Sequence, residues 1–122
     1  MIALGVLLAG GFGAVARYLV DLGVRARVRH ASPWGTFVIN VSGSLGLGLV
    51  TGLVLYHGLG DGPSAVIGVG FLGAYTTFST YAFEVVEEHD QRGPRPAIGY
   101  ALGSVAAGLA AATLGLGIAG LL

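Results

Sequence analysis

The sequence has no cysteine and no lysine, and charged residues of either sign are scarce. Of its 122 residues only 10% are charged, and six arginines balance six acidic residues, so the formal net charge is zero. The lack of cysteine excludes a disulfide scaffold, and the lack of a basic excess argues against nucleic-acid binding. A soluble domain carries charge on roughly a quarter of its residues. Here 54% are hydrophobic and the mean hydropathy is +0.82, which indicates that the solvent is lipid.

Three long stretches of the chain contain no Asp, Glu, Arg, Lys or His. They are residues 31–56, 62–83 and 96–122, with 26, 22 and 27 residues. A further apolar stretch at the N terminus continues to about Val24 across Arg17 and Asp21. Because about 20 apolar residues in a helix cross the hydrocarbon core of a bilayer, we predict an all-α integral membrane protein. It forms one domain over residues 1–122, with spans at about 2–24, 33–56, 63–86 and 96–121.

Arginine is distributed unequally between the two sides of this predicted bundle. With four spans, the first and third loops face the same side, and together they carry Arg25, Arg27, Arg29, Arg92 and Arg95. The second loop and both termini carry none. The positive-inside rule therefore predicts that the first and third loops are cytoplasmic and that both termini lie outside.

Glycine occurs 23 times and predicts close helix packing. Helices in lipid associate through small residues that allow their backbones to approach, and such residues recur four apart at Gly48 and Gly52 and at Gly99 and Gly103. Four thin helices of this length enclose little room for a pathway, so we predict an oligomer.

Asn40 is the most conspicuous polar residue within a span. Thr36, Asn40 and Ser44 are each four residues apart and share one helix face. Polar groups at membrane depth are functional candidates, although Asn40 could equally join two helices through a hydrogen bond. The hydroxyls expected only to bond back to their own helix are those of Ser42, Thr51 and Thr113.

Residues 68–81 of the third span, with the sequence GVGFLGAYTTFSTY, form its densest motif. Three glycines followed by four hydroxyl residues favour a helix broken near its middle, whose carbonyl groups could coordinate a cation. A continuous helix with packing glycines and back-bonded hydroxyls is the alternative, and periodicity does not separate the two.

These segments together resemble the small bacterial fluoride channels of the Fluc family. The motifs that carry the resemblance are GGFGAVARY at residues 10–18, GTFVINVSGS at 35–44 and GFLGAYTTFST at 70–80. The resemblance extends over the whole chain, and it implies an antiparallel, dual-topology dimer with two pores along the subunit boundary. The implied activity is passive, selective export of fluoride across the bacterial inner membrane, which reduces fluoride toxicity.

The resemblance also implies which residues contact fluoride. The Asn40 amide would donate an N–H group to the ion, and Phe78 would present its ring edge. Tyr81 stands where the family usually has a second such Phe. Tyr100 and Ser104 match the start of a polar track on the fourth span.

Other residues are implied by the resemblance to act beside the pore. Gly73 and Thr76 match positions whose backbone carbonyls, from both subunits, hold a structural sodium ion at the dimer interface. Glu84 matches an acidic residue near the wide vestibule. Arg17 matches a first-span arginine, although it could instead be a snorkelled residue paired with Asp21.

Three features depart from the family pattern. The Tyr81 hydroxyl could donate to fluoride or obstruct the aromatic contact, and Gly108 replaces a frequent second serine, which would shorten the polar track to Tyr100 and Ser104. Either change could impair one pore of a dimer. Five arginines on one side are unexpected in a protein that inserts equally in both directions. The antiparallel partner is therefore either a second copy of this chain or an oppositely oriented paralogue.

Two other functions remain open at the level of sequence. A small proton-coupled multidrug exporter has a similar length, but it needs a membrane-embedded carboxylate, and the first span offers only Asp21 near its end. A non-conducting structural subunit predicts that changes at Asn40 or Phe78 would alter assembly without altering ion flux. An enzyme is not expected, because all three histidines fall in predicted loops and there is no cysteine.

Overall fold

A computed structural model describes residues 1–28 and 33–122 of the chain, and the predicted four-span helical fold is confirmed. Arg29 and His30 of the predicted first loop lie outside the described residues. The four helices that are long and apolar enough to cross a membrane are Ile2–Arg27, Trp34–His57, Asp61–Arg92 and Pro94–Leu121. We call the first, second and fourth of these α1, α2 and α6.

The third span consists of several consecutive segments. It begins with α3 (Asp61–Ser64) and continues as a π-helical segment (Ala65–Leu72), α4 (Gly73–Tyr75) and α5 (Ser79–Arg92). Helical geometry stops between α4 and α5, where Thr76 adopts an extended conformation with φ −78° and ψ 161°. Helical turns of the π type are frequent at functional sites. Extended residues at membrane depth occur only where protein buries them or where they line a cavity.

Two glycines end helices in conformations that other residues rarely adopt. Gly58 follows α2 with a positive φ of 67°, and its N–H group donates to the carbonyl of Leu53. Gly93 lies between α5 and α6 with a φ of 92°, and Pro94 then occupies the first turn of α6, where its missing N–H group is not needed. The connection between the third and fourth spans is therefore very short.

Helices α2 and α6 form the closest packed pair, and glycine allows it. A Cβ atom on Gly48 would collide with the backbone of Ala112, and one on Gly52 would collide with the side chain of Ala119. From α6, a Cβ atom on Gly115 would collide with the carbonyl oxygen of Leu45. Along their whole length the contacts advance in the same direction, from Ser44 beside Gly108 to Tyr56 beside Gly120, so α2 and α6 run parallel.

A second close approach joins α1 to the π-helical segment. A Cβ atom on Gly13 would collide with the Phe71 carbonyl, and one on Gly70 would lie 2.8 Å from the Val6 carbonyl oxygen. Gly99 and Gly103 do not pack within the chain as predicted, because a Cβ atom on either would meet nothing within 4 Å. Their small size is not required for packing within this chain.

Large apolar side chains cover the outside of the bundle. On α1, for example, Leu7 is 73% exposed and Phe12 is 71% exposed. Few apolar side chains are buried within the chain, and they include Ile39 and Leu72. A surface of this kind is stable in lipid and would aggregate in water.

Candidate functional site

The break between α4 and α5 is held by Asn40 of α2. The Asn40 Nδ2 atom donates a hydrogen bond of 2.8 Å to the carbonyl oxygen of Thr77, and the Thr77 N–H group donates one of 2.9 Å to Asn40 Oδ1. One side chain thus satisfies both backbone polar groups of a residue that has left the helix, which an apolar environment demands. Asn40 therefore does join two helices, as the structural alternative expected. A carboxamide has two N–H hydrogens, so one remains for a further acceptor.

The same arrangement removes the helical partners of two carbonyl groups. In a continuous α-helix the Thr77 N–H group would point at the Gly73 carbonyl and the Thr80 N–H group at the Thr76 carbonyl. Here the first N–H group goes to Asn40, and the second donates to Thr77 Oγ1 over 3.2 Å. The oxygens of Gly73 and Thr76 are thereby released from the helical pattern and could accept another partner.

A cavity of about 300 Å³ lies beside the break, and we call it the pathway cavity. Four of the five predicted fluoride contacts line it, together with Ser44 and Gly108. These four are Asn40, Phe78, Tyr81 and Ser104. No charged side chain of the described residues lines this cavity, so its polar groups are an amide and hydroxyls, which lie beside two aromatic rings.

A second cavity of about 310 Å³ also borders the break, and we call it the break cavity. Its lining includes Gly73 and Thr76, and it shares Asn40, Ser44 and Phe78 with the pathway cavity. The three shared residues therefore line both cavities, so the released carbonyl groups and the predicted fluoride contacts border adjoining spaces.

The fifth predicted contact, Tyr100, lies one turn before Ser104 in a buried hydrogen-bond network. Its hydroxyl donates to Glu84 Oε2 over 2.9 Å, and the Thr36 hydroxyl donates to Glu84 Oε1 over 2.9 Å. Glu84 is only 6% exposed and Thr36 only 4%. The network joins α2, α5 and α6 and places the Glu84 carboxyl group inside the subunit.

The Tyr81 hydroxyl makes a hydrogen bond to α6 rather than pointing into the pathway cavity as a free group. It donates to the Ala101 carbonyl oxygen over 2.8 Å. The Tyr81 ring lies between those of Phe78 and Tyr100, at centroid distances of 5.8 and 5.6 Å. The three rings form a continuous aromatic series along one side of the predicted path.

Arg17 lines a separate cavity of about 230 Å³, together with Asp21, Arg25 and Thr80. The alternative pairing of Arg17 with Asp21 is wrong, because the Asp21 carboxylate instead accepts a hydrogen bond of 2.8 Å from Arg25 Nε. Both pairings have the same four-residue spacing on one helix, so the pattern alone could not distinguish them.

The chain is similar to known proteins over nearly its whole length. A family model described as "CrcB-like protein, Camphor Resistance (CrcB)" matches residues 4–116. A protein of Leifsonia xyli subsp. xyli named fluoride-specific ion channel FluC 1 is 47% identical over 121 residues, which are 99% of this chain and 88% of that protein. The fluoride-specific ion channel FluC 2 of Cutibacterium acnes is 44% identical over 119 residues, which are 97% of each.

The chain belongs to the CrcB family. A more distant relative, the fluoride-specific ion channel FluC of Chloroflexus aurantiacus, is 38% identical over 116 residues, which are 94% of this chain and 92% of that protein. The similarity therefore covers all four spans, and the resemblance stated from the three motifs is confirmed.

Within this CrcB protein, two site features escaped sequence reasoning. The backbone partner of Asn40, Thr77, lies 37 residues away along the chain, and only the fold brings them together. Ser44, on the same helix face as Asn40, lines both cavities, a role that the sequence motifs do not indicate. Its four-residue spacing from Asn40 was the available signal.

Proposed function

We propose that this protein is a channel for fluoride that lets the ion leave the cytoplasm passively. It is a multi-pass protein of the bacterial plasma membrane and an ion channel rather than an enzyme. The observation that carries the proposal is the pathway cavity, in which Asn40, Ser104 and two aromatic rings meet without a charged side chain. Membership of a family whose relatives are named fluoride-specific channels supports it.

The chemistry of the pathway cavity suits a small, strongly hydrated anion. A selective pore must replace the water around fluoride with other donors, and amide N–H and hydroxyl groups supply them. The edge of an aromatic ring is positive, so Phe78 and Tyr81 can favour an anion without a formal charge. Conduction also requires release, and an arginine in the narrow part would hold the anion more strongly than these neutral donors.

The carbonyl groups of Gly73 and Thr76 would hold a structural sodium ion. They are hard oxygen donors, and the break has removed the N–H groups that would otherwise occupy them. Two carbonyl groups are too few for a cation site, so the remaining ligands would come from the same two residues of a second subunit. When bound, the sodium ion would supply a fixed positive charge near both pores.

The second subunit is an antiparallel copy of this chain or an oppositely oriented paralogue. Five arginines in the first and third loops, against none on the other side, favour insertion in one direction and hence a paralogue. Labelling of tagged termini on intact cells tests this. Access from the outside alone supports the paralogue, whereas equal access from both sides contradicts it.

The function is tested by fluoride efflux from liposomes, followed with a fluoride electrode. We expect efflux from the chain alone or together with its paralogue, and strong loss of efflux in Phe78→Ile. Phe83→Ile is a matched control, because Phe83 is a similarly exposed aromatic residue of α5 that lines neither of the two cavities.

Absence of fluoride efflux from both preparations would remove the proposed function. Normal efflux by Phe78→Ile, accompanied by altered assembly, would favour a structural subunit instead. Proton-coupled efflux of a lipophilic cation would favour the multidrug exporter.

A further inference from the structure

Hydroxyl groups within the spans fall into two classes according to their hydrogen bonds. Several donate to the carbonyl group four residues earlier in their own helix, as predicted for three of them. These are Ser42 to Val38, Thr51 to Leu47, Thr76 to Leu72 and Thr113 to Leu109, at 2.7 to 2.9 Å. The three threonine hydroxyls are satisfied within their own helix, and the Ser42 hydroxyl additionally lies 2.8 Å from the Tyr75 hydroxyl, so none of the four lacks a partner.

Ser44 and Ser104 belong to the other class. The Ser104 Oγ atom is buried beside the Tyr100 hydroxyl but makes no well-formed hydrogen bond, and the Ser44 hydroxyl bonds to none of the described residues. Both side chains line the pathway cavity. A buried polar atom without a well-formed hydrogen bond costs free energy in an apolar environment, which indicates that the Ser104 hydroxyl serves a group absent from the single chain. The Ser44 side chain is partly exposed, so its hydroxyl is available to the same group.

The parallel register of α2 and α6 places the two serines on one line of facing polar residues, which we call the polar seam. It consists of Thr36, Asn40 and Ser44 on α2 and Tyr100 and Ser104 on α6. Thr36 and Tyr100 reach the same carboxyl group, and one turn later Asn40 and Ser104 line the same cavity. One further turn along, Ser44 faces Gly108, where a Cβ atom would lie 3.4 Å from Ser44 Oγ.

The seam closes directly beyond Ser44. On the next turn Gly48 packs against the backbone of Ala112 with no room for even a Cβ atom. The Ser44 hydroxyl is therefore the last donor on the seam before the two helices close, and Gly108 leaves the space in front of it free.

We propose that Ser44 is a ligand of the permeating ion, and that Ser44 and Ser104 donate to the same fluoride from two neighbouring helices. The Asn40 N–H group not used by Thr77 belongs to the same turn of the register as Ser104 and completes the donor set. The inference rests on the proposed function. It assigns to α2 the contact that α6 cannot make, because α6 has no side chain at Gly108.

The test compares fluoride efflux from liposomes for Ser44→Ala and Thr51→Val. It uses whichever preparation of the unaltered protein shows efflux, the chain alone or the chain together with its paralogue. Since Ser44 bonds to no described residue, Ser44→Ala should fold normally, as judged by its elution volume. A hydrogen bond to a charged group is stronger than a neutral one, so we expect fluoride efflux to slow at least about tenfold. Thr51→Val, which removes a back-bonded hydroxyl from the same helix, should leave efflux unchanged.

A second variant places the hydroxyl on the facing helix. Gly108→Ser in the Ser44→Ala background should restore most of the efflux, because the new side chain enters the space that the serine has left. Normal efflux by Ser44→Ala overturns the inference while leaving the channel function intact. Loss without restoration by Gly108→Ser also overturns it, since Ser44 would then act through packing. Absence of fluoride efflux from the unaltered protein would contradict both the proposed function and the inference.

Discussion

Replacement of Asn40 by leucine tests how the broken third span is stabilised. The leucine side chain has a similar volume but makes neither of the two hydrogen bonds to Thr77, which measure 2.8 and 2.9 Å. The variant therefore leaves one N–H group and one carbonyl group of the backbone without partners at membrane depth.

The expected loss of stability follows from these two groups. Side-chain hydrogen bonds between membrane helices average about 0.6 kcal/mol and reach about 1.7 kcal/mol. A buried group left without a partner costs about 1–3 kcal/mol. Two such groups would cost twice that amount if both were fully buried. Because Thr77 lines the break cavity, water can reach it in part, so we expect a loss in the lower part of this doubled range, about 2–4 kcal/mol.

The assay is equilibrium unfolding in mixed micelles with a rising fraction of SDS, followed by circular dichroism. Thr51→Val is the control, because its lost hydroxyl bonds only to Leu47 of the same helix, and we expect a change within about 0.5 kcal/mol. If Asn40→Leu unfolds at the same SDS fraction as this control, Asn40 does not hold the break, and the explanation of the released carbonyls fails with it.

Three further predictions concern packing and the polar network. Gly48→Ala should destabilise the bundle by about 1–3 kcal/mol through overpacking, whereas Gly117→Ala, with open space around its Cβ position, should not; equal SDS midpoints would refute this. Tyr81→Phe loses one hydrogen bond to α6 and should cost about 0.6 kcal/mol while retaining fluoride efflux; abolished efflux would show that the hydroxyl has a direct role. Thr36→Val removes a donor from the buried Glu84 carboxyl group and should lower stability in SDS by about 1–3 kcal/mol; an unchanged midpoint would contradict this.

The four spans could be predicted from sequence because charge is excluded from lipid wherever helices cross it. The bounds extend a few residues further in the structure, for example to Arg27 in α1 and Arg92 in the third span. Long charged side chains at helix ends can reach the interface, so a charge-free stretch underestimates the helix. Glycine was less informative, since Gly48 packs tightly whereas Gly99 meets open space.

The site was only partly predictable for a different physical reason. The spacing of Asn40 and Ser44 on α2 is local and can be read directly. The break between α4 and α5 depends on Asn40 supplying hydrogen bonds from another helix, and the facing of Ser44 and Gly108 depends on the register of α2 and α6. Both are tertiary relations that one helix's sequence does not encode.

Asn40 has two tasks that a single substitution cannot separate. Its bonds to Thr77 redirect the N–H group that would otherwise occupy the Gly73 carbonyl, and its remaining N–H hydrogen belongs to the lining of the pathway cavity. Loss of fluoride efflux in an Asn40 variant would therefore follow from loss of the proposed ion contact or from a re-formed helix that closes the proposed sodium site. Ser44 has no such structural bond, so its hydroxyl isolates the ion contact. Comparison of the two residues thus distinguishes donors that shape the pathway from donors that only line it.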